Sequence, residues 1–291
     1  MATLYWANSE LEVKGWLTAP GGSGKVTLGE PDAEATMKDT LPLGHSAQIE
    51  ALNSIISADS VTEAWRVFGD AMAHLGLLYL FFGQARHPGP PNPIDPAEAL
   101  ILHRIPSQWV DAYVDEQLYK GNPLFDWVQH NDGFISVADV VASYDGPVTK
   151  QMARLMELRH LHEAGPGFLG GMRDLIPGVT AGMTLSFDNT VSPEEAEARW
   201  AGCAATVAVM ARALHLRVST LPQPLLRPLS SRQREVLEWS SQGKTVRDIA
   251  TIMEVEATTV EKHLRLAREA LNASNTSHAV RKALTLNLLS V

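Results

Sequence analysis

The sequence predicts an α+β protein in two parts, an α/β/α sandwich followed by an all-α module of four short helices. Three observations carry that prediction. From Ser46 onward, segments of helical period flank runs that read as strands, and helices packed on an antiparallel sheet make a sandwich. STLPQPLLRP at 219–228, with three prolines, reads as a linker. Beyond it, four helical patterns fill residues 229–291. The chain of 291 residues fits roughly two domains of about 100–200 residues each.

Taken in order, residues 1–45 are rich in Gly, Pro and Thr and read as a flexible or loosely packed extension. APGGSGK at 19–25 imitates a phosphate loop but fails in detail, because Ala19 stands where Gly is needed and Val26 follows Lys25. The domain at 46–218 begins with amphipathic helices at 46–58 and 61–75, followed by a strand in LLYLFF. IPSQWVDAYVDEQLY (105–119) reads as a helix, GFISVADVV holds a short strand, and 148–164 is helical in pattern. FLGGMRDLIPG and VTAGMTLSFD form a strand pair turning at Pro177–Gly178. Ser192, Pro193 and Glu195 then open a helix running to about Leu216, with a capping residue, a first-turn proline and a capping-box partner.

Composition narrows the class. No apolar run approaches the ~20 residues of a membrane span, and MATLYWANSELEVKGW lacks a basic start before an apolar core. The single cysteine, Cys203, excludes an internal disulfide framework and reads as buried and inert. These features fit a cytoplasmic protein of bacterial type that does not engage a membrane. The net charge of −9 divides unevenly: residues from Pro222 onward carry ten Lys/Arg against seven Asp/Glu, so the remainder carries −12. A basic module on an acidic one fits a DNA-contacting part joined to one that does not touch DNA.

The basic module has the parts needed to enter a major groove. Ser230 with Gln233 starts one helix, Gly243 stops it, and Thr245 with Asp248 starts a second. After the turn EVEA, a third helix is expected from Thr258 to Leu271, with Val260, Leu264, Ala267 and Leu271 as its apolar stripe. Lys262, Arg265 and Arg268 recur on another face, and a fourth helix spans 277–289. Two helices joined by a tight turn, the second with a basic polar face, is the helix-turn-helix requirement.

LSSRQREVLEWSSQGKTVRDIATIMEVEATTVEKHLRLAREALNASNTSHAVRKAL resembles the DNA-binding domain of LuxR-type regulators along its whole length, with Gln233 where the family usually has Glu. The resemblance implies that the third helix reads DNA. Its DNA-binding candidates are Thr258, Thr259, Lys262 and Arg265, with Arg268, Lys244 and Thr245 toward phosphate. Glu261 has two readings, a DNA contact at a position the family uses, or the third residue of a capping box begun by Thr258. His263 lies near the apolar stripe and reads as packing.

Upstream, IPSQWVDAYVDEQLYKGNPLF resembles the signature of the family's acyl-homoserine-lactone-binding domain, and no receiver-type arrangement of acidic residues is found. Trp109 and Tyr113 lie four apart on one helical face, so indole N–H and phenol O–H can converge on a ligand's carbonyls. Tyr79, Phe81, Phe82, Phe125, Trp127 and Phe134 could line an acyl or aryl tail, and Ser186 joins the ligand-binding candidates from the strand pair. Asn122 stands where the family has Asp, and it lacks the charge that strengthens a bond to an amide N–H. RHLHE at 159–163 makes a poor metal pair and reads as a solvated helix end.

The function expected is a ligand-responsive transcription regulator, not an enzyme, with no metal or cofactor. Its partners are promoter DNA, a homoserine lactone or related amphipathic signal, and a second copy of the chain as homodimer. RNA polymerase or a regulatory protein is a further candidate partner. The alternative is a LuxR-type solo regulator that acts without a lactone and answers to a different small molecule or to a protein partner.

Overall fold

The computed structural model describes residues 13–16, 25–28, 44–86, 99–172, 175–176, 178–225 and 227–289. Most of the expected extension, including the phosphate-loop look-alike before Lys25, lies outside these residues, as does Pro177. Two compact units emerge, one built mainly on Thr27–Ser219 and the other on Thr220–Val291.

The first unit opens with α1 (His45–Ser57) and α2 (Val61–His74). Ser60 caps α2 by accepting from the Glu63 N–H at 3.1 Å, while Glu63 accepts from the Asp59 N–H at 2.9 Å. The sheet contains β1 (Val13–Trp16), β2 (Lys25–Leu28), β3 (Tyr79–Arg86) and β4 (Leu100–Arg104). It is completed by β5 (Gly133–Ser136), β6 (Ala164–Gly171) and β7 (Val179–Asp188). Its order is β1-β2-β4-β3-β7-β6-β5. From β4 to β5 every pairing is antiparallel, and β2 joins β4 in parallel at Thr27–Ile101 and Leu28–Leu102.

Register decides which side chains share a face. β3 pairs with β7 so that Tyr79 faces Ser186, Phe81 faces Thr184 and Gly83 faces Gly182. The alternate residues Leu80, Phe82 and Gln84 point to α7 (Pro193–Thr220), where Gln84 Oε1 accepts from Ser219 Oγ at 2.8 Å. Trp200 of α7 stacks on Phe168 at 4.0 Å between centroids and packs on Phe134 at 5.3 Å. The opposite face is covered by α3 (Ser107–Asp115), α4 (Pro123–His130), α5 (Val137–Ala142) and α6 (Lys150–Leu161). This is the α/β/α sandwich.

Several boundaries differ from expectation. α7 begins as expected, with Ser192 Oγ accepting from the Glu195 N–H at 3.2 Å, but it continues to Thr220, past Leu216. It is the described helix long and apolar enough to cross a membrane by length and composition. Its Trp200, Val207, Met210 and Leu214 are buried, which makes those residues part of the sandwich core. β4 and α4 were not anticipated. Cys203 is half-buried rather than fully buried, and burial raises its thiol pKa.

The second unit holds α8 (Ser231–Ser241), α9 (Val246–Ile252), α10 (Ala257–Ala270) and α11 (Thr276–Thr285). Both expected capping boxes form, Ser230 with Gln233 and Thr245 with Asp248. Val236, Leu237, Ile249, Val260 and Ala267 are fully buried at its centre. α10 starts one residue earlier than expected, at Ala257, with Glu256 in the capping position. Thr258 is therefore inside the first turn and begins no capping box, which removes the structural reading of Glu261.

Candidate ligand cavity and nucleic-acid interface

A cavity of about 130 Å³ lies between the sheet and the α3–α6 layer. A water needs roughly 10–15 Å³ by the same measure, so a small organic molecule can be accommodated. Of the eight ligand candidates, Trp109, Tyr113, Asn122, Tyr79, Phe81 and Ser186 all line it, and Phe125 joins them. Trp127 and Phe134 do not. Trp127 packs at the edge of the same core, and Phe134 faces Trp200 because its place on β5 turns it to the α7 side of the sheet. Phe82, on the α7 face of β3, packs near His215.

Local sequence explains how the wall is assembled. Trp109 and Tyr113 project from one side of α3. Tyr113 meets Phe81 edge-on at 5.2 Å, and Trp109 stacks on His162 at 5.7 Å. Burial pushes the Tyr113 phenol well above its ordinary pKa, with a smaller push from Tyr119, so the group is a neutral hydroxyl able to donate. Gly182 is needed for closure, since a Cβ there would stand 2.3 Å from the Val128 side chain of α4. The aliphatic wall includes Ile101, Ile105, Leu124 and Leu155.

Asn122 is buried and caps α4. Its Oδ1 accepts from the Leu124 N–H at 3.0 Å, and its Nδ2 donates to the Leu118 carbonyl at 3.2 Å. Arg159 is the cavity residue that sequence reasoning missed. RHLHE read as a solvated helix end, and His160 is indeed exposed, yet Arg159 turns inward and lines the cavity. Its Nη2 donates to the Gly165 carbonyl at 2.6 Å and its Nη1 to Ser186 Oγ at 3.4 Å. Burial lowers its pKa, because the charged form loses water. No group of three or more His, Cys, Asp or Glu suited to a metal is found among the described residues.

In the second unit, α9 leads through Met253–Glu256 into α10, with Glu254 in the left-handed region at φ +53°. The Val255 N–H bonds to the Ala250 carbonyl at 3.0 Å, which closes the turn. α10 then divides cleanly into two faces. Val260, Leu264 and Ala267 are buried, while Thr258, Glu261, Lys262 and Arg265 are exposed. At 3.6 residues per turn those exposed positions fall on one side of the helix.

Arg265 Nη1 reaches Glu269 at 2.5 Å, an exposed pair that surrounding water weakens. Arg268 is half-buried and donates to Thr276 Oγ1 at 3.2 Å, tying α10 to the start of α11. Thr259 is half-buried, while Lys244 and Thr245 are exposed at the start of α9. His263 Nδ1 is buried with no hydrogen-bond partner among the described residues, consistent with packing.

Comparison with known proteins agrees with this division. The autoinducer-binding-domain model matches residues 60–218, and that of bacterial regulatory proteins of the luxR family matches residues 227–283. The chain belongs to the LuxR family. It is similar to the transcriptional activator protein AnoR of Acinetobacter nosocomialis, at 24% identity over 84% of this chain and 99% of that protein. Over 25% of the chain and 31% of the relative, it is 43% identical to the HTH-type quorum sensing-dependent transcriptional regulator RpaR of Rhodopseudomonas palustris. Among solved structures, Escherichia coli SdiA is matched at TM-score 0.43 and 17% identity, over 84% of this chain and 99% of that one. CepR2 from Burkholderia cenocepacia is matched at TM-score 0.45 and 18% identity, over 58% of this chain and 90% of that one. This LuxR-type protein is thus a quorum-sensing transcription regulator with an autoinducer-binding domain and a DNA-binding domain.

Proposed function

We propose that this LuxR-type regulator takes a small amphipathic signal into its cavity and binds a near-palindromic promoter site in the cytoplasm as a homodimer. The observation that carries the reading is the convergence of Trp109, Tyr113, Asn122 and Ser186 on one cavity with aliphatic walls. Few polar groups in an apolar enclosure is the usual make-up of a small-molecule site.

On the DNA side, Thr258, Thr259, Glu261, Lys262 and Arg265 of α10 meet base edges and phosphates in the major groove, with Lys244 and Thr245 on phosphate. Arg268 acts chiefly by holding α11. Dimerisation brings two α10 helices into grooves about one turn apart, ~34 Å. It is supported by Val209 and Leu216, exposed large apolar residues two turns apart on α7.

Asn122 favours a second reading, in which the signal is not a homoserine lactone. Its amide is already committed to Leu118 and Leu124, and it carries no charge to strengthen a bond to a lactone amide.

Thermal shift against lactones and other small amphiphiles tests the sensor role. A ligand at 100 times its dissociation constant should add about 2.7 kcal/mol of stability. The absence of any shift, and of any co-purifying small molecule, would count against it. Light scattering on Val209→Arg/Leu216→Arg tests the dimer: a monomer is expected, and an unchanged mass removes α7 from the interface.

A further inference from the structure

We propose that Arg159 makes the cavity a receptor for an anionic head group, so that the signal is an amphipathic carboxylate. This rests on the reading that the cavity binds a small molecule, and it names the chemical class of that molecule.

The argument begins with charge. Among the described residues lining the cavity, Arg159 is the one with a formal charge, and no described Asp, Glu, Lys or His lines it. Its protein acceptors are a carbonyl and a hydroxyl, those of Gly165 and Ser186. No carboxylate lies within ion-pair distance of it among the described residues. Burial, with smaller pushes from Glu163 and Asp188, raises the pKa of Tyr79, and burial lowers that of Arg159. A guanidinium partly withdrawn from water, with no counter-charge among the described residues, is costly unless something else compensates it.

The local build holds the group in place. Arg159 sits in the last turn of α6, and its two bonds reach β6 and β7. Gly167 leaves room for Ser186 Oγ, since a Cβ there would stand 2.1 Å from that oxygen. A guanidinium carries five N–H donors in a planar fork that matches a carboxylate in bidentate fashion. Two protein acceptors leave donors for a ligand.

The rest of the cavity suits the body of such a molecule. Ile101, Ile105, Leu155 and Leu169 provide aliphatic walls, and Tyr113 and Trp109 provide donors. Asn122 places a neutral amide where the family has a carboxylate, and Arg159 places a positive charge in the same cavity. A neutral lactone makes no use of that charge balance, whereas a carboxylate does.

The same chemistry has two sources, a simple fatty or aryl acid and the ring-opened form of an acyl-homoserine lactone. Calorimetry on the full-length protein would use octanoate, dodecanoate, phenylpropanoate, N-octanoyl-homoserine, its lactone, and the neutral octanamide. At least one carboxylate is expected to bind about tenfold or more tightly than its neutral counterpart, as a charge-assisted pair requires. Preference for N-octanoyl-homoserine over octanoate would identify the ring-opened source, and the reverse a simple acid.

Arg159→Met should erase the preference, and Arg159→Lys should retain part of it. The melting temperature of each unliganded variant shows that it is folded, and Arg159→Gln replaces Arg159→Met if that variant is not. Lactone or amide binding as tightly as the acids overturns the anion proposal while leaving the sensor reading intact. Preference surviving Arg159→Met removes Arg159 from the role, and failure of all six probes overturns both readings.

Discussion

α10 and the cavity use positive charge in opposite ways. On α10, Lys262 and Arg265 stand in solvent, and Arg265 is held by an exposed carboxylate that water and salt readily replace. In the cavity, Arg159 lies against apolar walls with a carbonyl and a hydroxyl as its protein partners. Solvated charges can exchange partners at little cost, which suits a polyanion bound by counterion release. A charge partly withdrawn from water is more expensive to leave unmatched and suits one complementary ligand. In their proposed roles, the first surface is tuned by how many charges it shows, and the second by which single molecule it admits.

The largest effect is expected from a change that tests whether the two regions act separately. Leu264 is 5% exposed in the core of the α8–α11 unit, and Leu264→Ala should cost about 2–5 kcal/mol. Calorimetric unfolding should show that unit melting earlier while signal binding is retained. Loss of both together would mean that the regions fold as one cooperative body. Next comes Arg265→Ala, expected to cost about 1–3 kcal/mol of promoter affinity with fold and dimer intact. Fluorescence anisotropy at fixed salt reads this, and unchanged affinity would take Arg265 off the DNA. In the cavity, Tyr113→Phe removes a hydroxyl and little volume, so signal affinity should fall by about 0.5–1.5 kcal/mol. No change in calorimetry would leave Tyr113 a packing residue only.

The same contrast explains what could be read from the sequence. The helix-turn-helix was legible because its signals are local: Ser230–Gln233 and Thr245–Asp248 cap helices within four residues, and the stripe from Val260 to Leu271 repeats on one helix. The cavity depends on which side of a sheet a residue faces. Phe134 looked like a pocket wall, but pairing with Gly170 turns it toward Trp200. Arg159 looked solvated because RHLHE has a polar composition, and only the packing of α6 on β6 and β7 turns its side chain inward. α4 was not anticipated, although Asn122 and Pro123 are a capping residue and a first-turn proline, because in the sequence Asn122 reads only as a ligand contact. Thr258 shows the limit of local signals, for Glu256 takes the capping position without a side-chain bond.

The smallest effect concerns the exposed carboxylate at the start of α9. Asp248 accepts from the Thr245 hydroxyl at 2.7 Å and the Thr245 N–H at 2.9 Å. These bonds, chiefly the one from the hydroxyl, hold its pKa below the ordinary 3.8, with Lys244 adding a minor pull. A carboxyl depressed in the folded state contributes stability that is fully present above its unfolded pKa and fades as pH falls through the folded one. The α8–α11 unit should therefore lose this contribution only below about pH 4, the range set by an unperturbed Asp. Asp248→Asn should flatten that acid limb in thermal melts, while Thr245→Ala should weaken the unit at neutral pH by about 1 kcal/mol. An acid limb unchanged by Asp248→Asn would show that the capping box adds no charge-dependent stability.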